Sequence, residues 1–164
     1  RKQEFCASRI LRHELFGEKE IQYLDHGAPY IIDEGFISIS HSKNCIGIAV
    51  CKSHQIGLDM EPIRNKALIL REKFLSDKER TFLDLSSELE MTKLWSGKEA
   101  QYKLAGRKKI IFKEQLLFDH RENDSWYGRI INPEEIIHVE FAIFEHRGMI
   151  ISINPTAPFY EKIN

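Results

Sequence analysis

Three short stretches hold side chains whose types and spacing could act on an anionic group. In Ile56-Gly57-Leu58-Asp59-Met60-Glu61-Pro62, a period of two puts Ile56, Leu58 and Met60 on one face of a strand and Gly57, Asp59 and Glu61 on the other, and Pro62 ends it. Adjacent carboxylates on one face repel unless a cation sits between them or one is protonated. A hard divalent cation such as Mg2+ relieves that repulsion, since it takes oxygen ligands and needs few carboxylates. In residues 94–103, Trp95, Glu99 and Lys103 recur every fourth position and share one helix face. Ser40, His41, Ser42 and Lys43 gather hydrogen-bond donors in one tight turn, a setting suited to phosphate. Each stretch also has an ordinary reading. Asp59 and Glu61 read as solvated acids on an edge strand, Glu99 and Lys103 as a surface ion pair of about 0.3–0.5 kcal/mol, and His41 as a structural residue at a strand end.

Composition narrows the classes that can use these residues. The chain has 164 residues, 42% hydrophobic and 30% charged, enough for one core or two small lobes sharing one. Lys+Arg 24 against Asp+Glu 25 leaves a net charge of -1, so nothing global points to nucleic acid or a membrane surface, and any anion site is local. Cys6, Cys45 and Cys51 are odd in number and lack CxxC spacing, which argues against a disulfide framework or structural zinc and fits a reducing cytoplasm. No run approaches the about 18 consecutive apolar residues of a membrane span, and no signal-peptide pattern is present. Because the chain opens at Arg1 without a methionine, an N-terminal segment is expected to be missing.

The elements that must position these stretches follow from periodicity. Residues 2–16 predict an amphipathic helix stopped by Gly17, with Arg9 and Arg12 three apart on it as either a solvated face or a phosphate-ready fork. A polar turn over residues 25–29 precedes alternation in Phe36-Ile37-Ser38-Ile39-Ser40, and residues 45–51 complete a hairpin with Ile46, Ile48 and Val50 on one side and small residues on the other. Residues 64–85 predict two short helices with Leu68, Ile69, Phe74, Leu75, Phe82 and Leu83 as the apolar members, the second starting at a Ser76-x-x-Glu79 capping box. Ser87-x-x-Glu90 caps a helix near 88–105 that ends at Gly106. Strands are predicted at 115–118, 125–131, 136–144 and 148–153, with His120, His138 and His146 as structural or surface residues. The order predicts an α+β fold of two similar lobes, 1–62 and 63–164.

Taken together and in order, Ile39-Ser40-His41-Ser42, Ile56-Gly57-Leu58-Asp59-Met60-Glu61 and Leu94-Trp95-Ser96-Gly97-Lys98-Glu99-Ala100-Gln101-Tyr102-Lys103 resemble the 4′-phosphopantetheinyl transferase superfamily. Specifically, they resemble the monomeric, internally duplicated type represented by the surfactin-synthetase-activating enzyme. The likeness runs from about Cys6 to about Ser152, with weaker support from Arg9 and from Phe74-Leu75-Ser76-Asp77-Lys78-Glu79. It implies a pseudo-twofold pair of lobes, each a small antiparallel sheet packed with helices, and an active site at their interface. It implies an enzyme that moves the phosphopantetheine arm of coenzyme A onto a serine hydroxyl of an acyl or peptidyl carrier protein and releases adenosine 3′,5′-bisphosphate. Carried over by motif, Asp59, Glu61 and Glu99 would hold Mg2+, Ser40 and His41 would touch the coenzyme A phosphates, Lys103 the pyrophosphate, and Arg9 the nucleotide end. Chemistry on a pyrophosphate also needs a proton acceptor, and Glu99 is the natural general base. The apolar residues Phe74 and Leu75 are candidates for docking the carrier.

Two positions depart from the family pattern. Ala28 stands in Gly27-Ala28-Pro29 where a basic residue is usual, and Ala105-Gly106-Arg107-Lys108-Lys109 replaces a glycine-rich stretch, so that Arg107 or Lys108 would compensate. Two rival readings use the same residues. One is a Mg2+-dependent phosphoesterase or nuclease, and the other is a non-catalytic module whose apolar helices bind a protein partner.

Overall fold

The computed structural model describes residues 2–24, 27–42, 45–106 and 109–163. The expectations placed on Lys43, Arg107, Lys108 and part of the 25–29 turn lie outside the described residues. The first helix, α1 (Lys2–Phe16), ends as predicted at Gly17, whose φ of 62° is the left-handed conformation that stops a helix. Four antiparallel strands follow in one sheet: β1 (Gln22–Tyr23), β2 (Pro29–Ile31), β3 (Gly35–Ser42) and β4 (Cys45–Cys51), in that order. The short strands β1 and β2 were not expected. The predicted hairpin is β3 with β4, in a register that pairs Ser40 with Gly47.

The second sheet has six strands: β5 (Leu58–Pro62), β6 (Leu116–Glu122), β7 (Ser125–Ile131), β8 (Glu135–His146), β9 (Met149–Ile153) and β10 (Phe159–Lys162). Its main path runs β5-β9-β8-β7-β6, with β10 added to one end of β8. Two antiparallel sheets with helices packed on them make the α+β class predicted from the element order. Positive φ at Arg147 and Gly148 supplies the two-residue turn between β8 and β9.

Between the acidic strand and the second sheet lie α2 (Asn65–Leu70), α3 (Glu88–Leu104) and the short α4 (Phe112–Gln115). The Ser87 hydroxyl accepts the Glu90 amide at 3.2 Å, and Gly106, at φ 75°, closes α3, so both predicted ends hold. Residues 64–85 differ from expectation. Only α2 is a helix there, followed by 3₁₀ turns at Arg71–Lys73 and Glu79–Thr81. The Ser76 capping box does form: the Ser76 amide donates to Glu79 Oε2 at 2.8 Å and the Glu79 amide to Ser76 Oγ at 3.3 Å. It starts a single 3₁₀ turn, Glu79–Thr81.

The main core lies between α3 and the six-stranded sheet and includes Phe74, Leu75, Met91, Leu94, Phe118, Trp126, Phe141 and Ile143. Phe74 and Leu75 are 1% and 2% exposed, which removes them as a docking surface: a partner cannot touch side chains already enclosed by their own chain. Phe74 instead packs its ring 5.1 Å from Trp95, which stacks on Phe112 at 5.6 Å.

Candidate functional site

The strand β5 is the hinge of the arrangement, because both of its faces and its free edge are occupied. Leu58 and Met60 turn to the small-residue side of β4, where a Cβ on Gly47 would lie 2.6 Å from Met60 Sδ. Asp59 turns the other way, toward α3, and is 5% exposed. One edge of β5 is hydrogen-bonded to β9, pairing Asp59 with Ser152. Along the other edge, two serines of β3 replace a neighbouring strand: the Leu58 amide donates to Ser38 Oγ at 2.9 Å and the Met60 amide to Ser40 Oγ at 3.0 Å. The alternation of residues 36–40 therefore marks two faces as predicted, and the serines lie on a buried one, at 4% and 2% exposure.

Helix α3 lies close against this strand. A Cβ on Gly57 would stand 2.3 Å from the Ala100 carbonyl oxygen, so the glycine of Gly-x-Asp-x-Glu is what lets the backbones approach. Lys103 Nζ donates to Asp59 Oδ1 at 2.9 Å and to the Leu58 carbonyl at 2.7 Å. Ser152 Oγ, opposite Asp59 on β9, donates to Ser96 Oγ at 2.9 Å. Ser96, Glu99 and Lys103 are three and four residues apart, so Glu99, which is half-buried, belongs to the helix stripe that faces β5 and β9. Glu61, 21% exposed, lies two residues beyond Asp59 and accepts from Arg64 Nη2 at 3.0 Å.

Asp59 is the focus of these contacts. Its Oδ1 accepts from Ser40 Oγ at 3.1 Å as well as from Lys103, while its Oδ2 is buried and finds no hydrogen-bond partner among the described residues. A buried carboxylate oxygen without a partner calls for an explanation, and a cation is one. Among the described residues, no three His, Cys, Asp or Glu side chains are grouped closely enough to hold a metal by themselves. Mg2+ does not require such a cage, because it is commonly held by one or two carboxylates with waters and substrate phosphates completing its shell. The hard oxygens present and the orphaned Oδ2 fit that mode.

A cleft of about 450 Å³ opens beside Lys103, lined among others by Ile21, Tyr23, Ile39, His41 and Ile56. Its size and its mostly apolar wall with a few polar groups are those of a small-molecule site. Of the residues expected to meet a phosphate, His41 and Lys103 line this cleft. Ser40 gives its single proton to Asp59. Arg9 stands exposed on α1, which packs on β3 and β4, and Arg12 is half-buried with no partner for its Nε among the described residues. Ala28, at the position that lacks the usual basic residue, is 5% exposed.

One pair escaped the sequence reading. Lys98, immediately before Glu99, is fully buried, with its Nζ 2.8 Å from Glu79 Oε2 and donating to the carbonyls of Phe74 and Phe112. Glu79 Oε1 accepts the Phe118 amide at 2.9 Å. Burial pushes the Lys98 ammonium below its ordinary pKa, and Glu79 opposes that shift. The sequence does contain a signal: Met91, Leu94, Lys98 and Gln101 fall at i, i+3, i+7 and i+10, which puts the lysine on the buried stripe of α3.

A buried carboxylate and a lysine beside a cleft of this size are compatible with a site for a charged small molecule, and comparison with known proteins gives the class. The family model for the 4′-phosphopantetheinyl transferase superfamily matches residues 55–153, from just before β5 through β9, and the chain belongs to that superfamily. Members of the superfamily are transferases that take phosphopantetheine from coenzyme A, which makes coenzyme A and a carrier protein the partners that the family implies. No curated protein matches the chain. Among the described residues, no helix is long and apolar enough to cross a membrane.

Proposed function

We propose that this protein transfers the 4′-phosphopantetheine group of coenzyme A to a serine hydroxyl of an apo carrier protein in a Mg2+-dependent reaction, as a monomer of the surfactin-synthetase-activating type. The observation that carries the reading is Asp59, buried between β3 and α3 with one oxygen filled by Ser40 and Lys103 and the other unpartnered. In this reading the lobes 1–62 and 63–164 share one site. Asp59, Glu61 and Glu99 would hold Mg2+, and bound there it would neutralise pyrophosphate charge.

The chain's own groups supply the rest. Lys103, at the mouth of the cleft, binds the pyrophosphate as a point charge whose value grows as water is excluded. His41 meets a phosphate of coenzyme A from the end of β3, and Arg9 on α1 is assigned to the nucleotide end. The carrier serine oxygen attacks the phosphorus that bears the pantetheine arm, and the bond from that phosphorus to the bridging oxygen breaks. Adenosine 3′,5′-bisphosphate leaves, and the serine proton passes to the Glu99 carboxylate.

The test is to incubate the protein with coenzyme A, Mg2+ and a panel of apo carrier proteins, then weigh the carriers. A gain of one phosphopantetheine is expected, lost in Asp59→Ala and retained in His54→Ala. Phosphate or nucleotide release with no carrier present would favour a phosphoesterase instead, and no gain on any carrier would remove the assignment.

A further inference from the structure

The geometry points to Ser40 as a positioning residue that acts on cation binding through Asp59, without touching substrate. This inference rests on the function proposed above. A serine hydroxyl has one proton to give, and Ser40 gives it to Asp59 Oδ1 at 3.1 Å while accepting the Met60 amide at 3.0 Å. At 2% exposure it has no access to water as a substitute partner. With Ser40 and Lys103 both on Oδ1, the plane of the carboxylate is held from two sides, and Oδ2 is the oxygen left to bind. Partners that orient a metal ligand from behind commonly change metal affinity by about 10- to 100-fold when removed.

The molecule contains its own control. Ser38, two residues earlier on β3, is buried to 4% exposure and accepts the Leu58 amide at 2.9 Å, the same seam bond that Ser40 makes to Met60; it also lines the cleft, so its variant is titrated both with and without coenzyme A. Its hydroxyl has no bond to Asp59. Ser38→Ala and Ser40→Ala therefore remove equivalent bonds between β3 and β5, and only the second also frees the Asp59 carboxylate to turn.

The experiment titrates Mn2+ into the full chain in the presence of coenzyme A and follows loss of the free-ion electron paramagnetic resonance signal, with thermal melting of each variant measured alongside. Ser40→Ala should weaken Mn2+ binding by about tenfold or more, and Ser38→Ala by less than about twofold, at similar melting temperatures. Ser40→Cys, with a weaker donor of similar size, should fall between wild type and Ser40→Ala, and it carries the test if the alanine variant does not fold. Equal Mn2+ midpoints in the Ser38 and Ser40 variants, with wild type binding normally, would overturn the role of Ser40 and leave the transferase reading intact. Failure of the wild type itself to bind Mn2+ would strike at that reading, and the positioning role would fall with it.

Discussion

Replacing Lys98 by methionine gives the sharpest test of how the site is supported. The substitution keeps most of the side-chain volume and removes the ammonium that lies 2.8 Å from Glu79 Oε2, in a place with no solvent exposure at either residue. Among the described residues it leaves the Glu79 carboxylate with the Ser76 and Phe118 amides, and it strips a donor from the carbonyls of Phe74 and Phe112. Breaking a buried pair by removing one partner costs about 3–5 kcal/mol, because an uncompensated charge stays behind. For a chain of this length about 1 kcal/mol corresponds to roughly 2–4 °C in melting temperature, so a drop of at least about 6 °C is expected. Glu79→Gln should cost a similar amount, since in either orientation its amide nitrogen would meet a donor, the Lys98 ammonium and Ser76 amide on one side or the Phe118 amide on the other. The double variant removes both charges and should be less destabilised than the sum of the singles by about 1–3 kcal/mol. Urea unfolding of the four proteins measures this cycle. A Lys98→Met cost under about 1 kcal/mol, or strict additivity, would show that the pair is not the fastening described here.

Other outcomes follow from separate parts of the chain. Gly57→Ala places a Cβ 2.3 Å from the Ala100 carbonyl, so it should push α3 from β5 and reduce phosphopantetheine transfer by about tenfold or more through loss of the Lys103 contact with Asp59, read as kcat/KM on a carrier. Phe74→Ala should cost about 3–5 kcal/mol in urea unfolding as a core cavity, with KM for the carrier unchanged; a selective rise in that KM would restore Phe74 as a docking residue. At Cys51, burial raises the thiol pKa, but the Ser53 hydroxyl and the Ser53 and His54 amides outweigh it and hold the thiol below its ordinary value. Iodoacetamide labelling of Cys51, mapped by mass spectrometry, should therefore begin at lower pH than for a free cysteine, and Ser53→Ala should move that profile upward.

Residues whose environment repeats with a regular period were readable in the sequence, and residues that answer to a single distant partner were not. The ends of α1 and α3 follow from an apolar stripe, a serine cap and a glycine stop, all local signals. Strands β7, β8 and β9 follow from long alternation. Asp59, Glu61 and Glu99 were singled out by residue type, and the register of β5 with α3 then came from Gly57, whose need for close approach only the fold reveals. Alternation could not tell that the serine face of β3 is buried as well as the face that carries Ile37, because serine is small enough for either setting; the amides of β5 that bond Ser38 and Ser40 decide it. Phe74 and Leu75 looked helical and available because they stand as an apolar pair between charged residues in a stretch patterned with Leu68, Ile69, Phe82 and Leu83, and the 3₁₀ turns around them bend both into the core. Lys98 was hidden for a related reason. Glu79 already had a local explanation in its capping box, which left no visible need for a cation from far along the chain.

The two lysines of α3 also determine something that neither does alone. Lys98 and Lys103 are five residues apart, so they leave the helix in directions more than a third of a turn apart, one tied to the turn at Glu79 and the other to β5. A cylinder tethered on two such bearings cannot roll. Glu99 lies next to one tether and one turn before the other, so its direction is set by fastenings on both flanks. Loss of the Lys98–Glu79 fastening would thus release one of the two bearings that hold Glu99, as well as costing the core its buried pair.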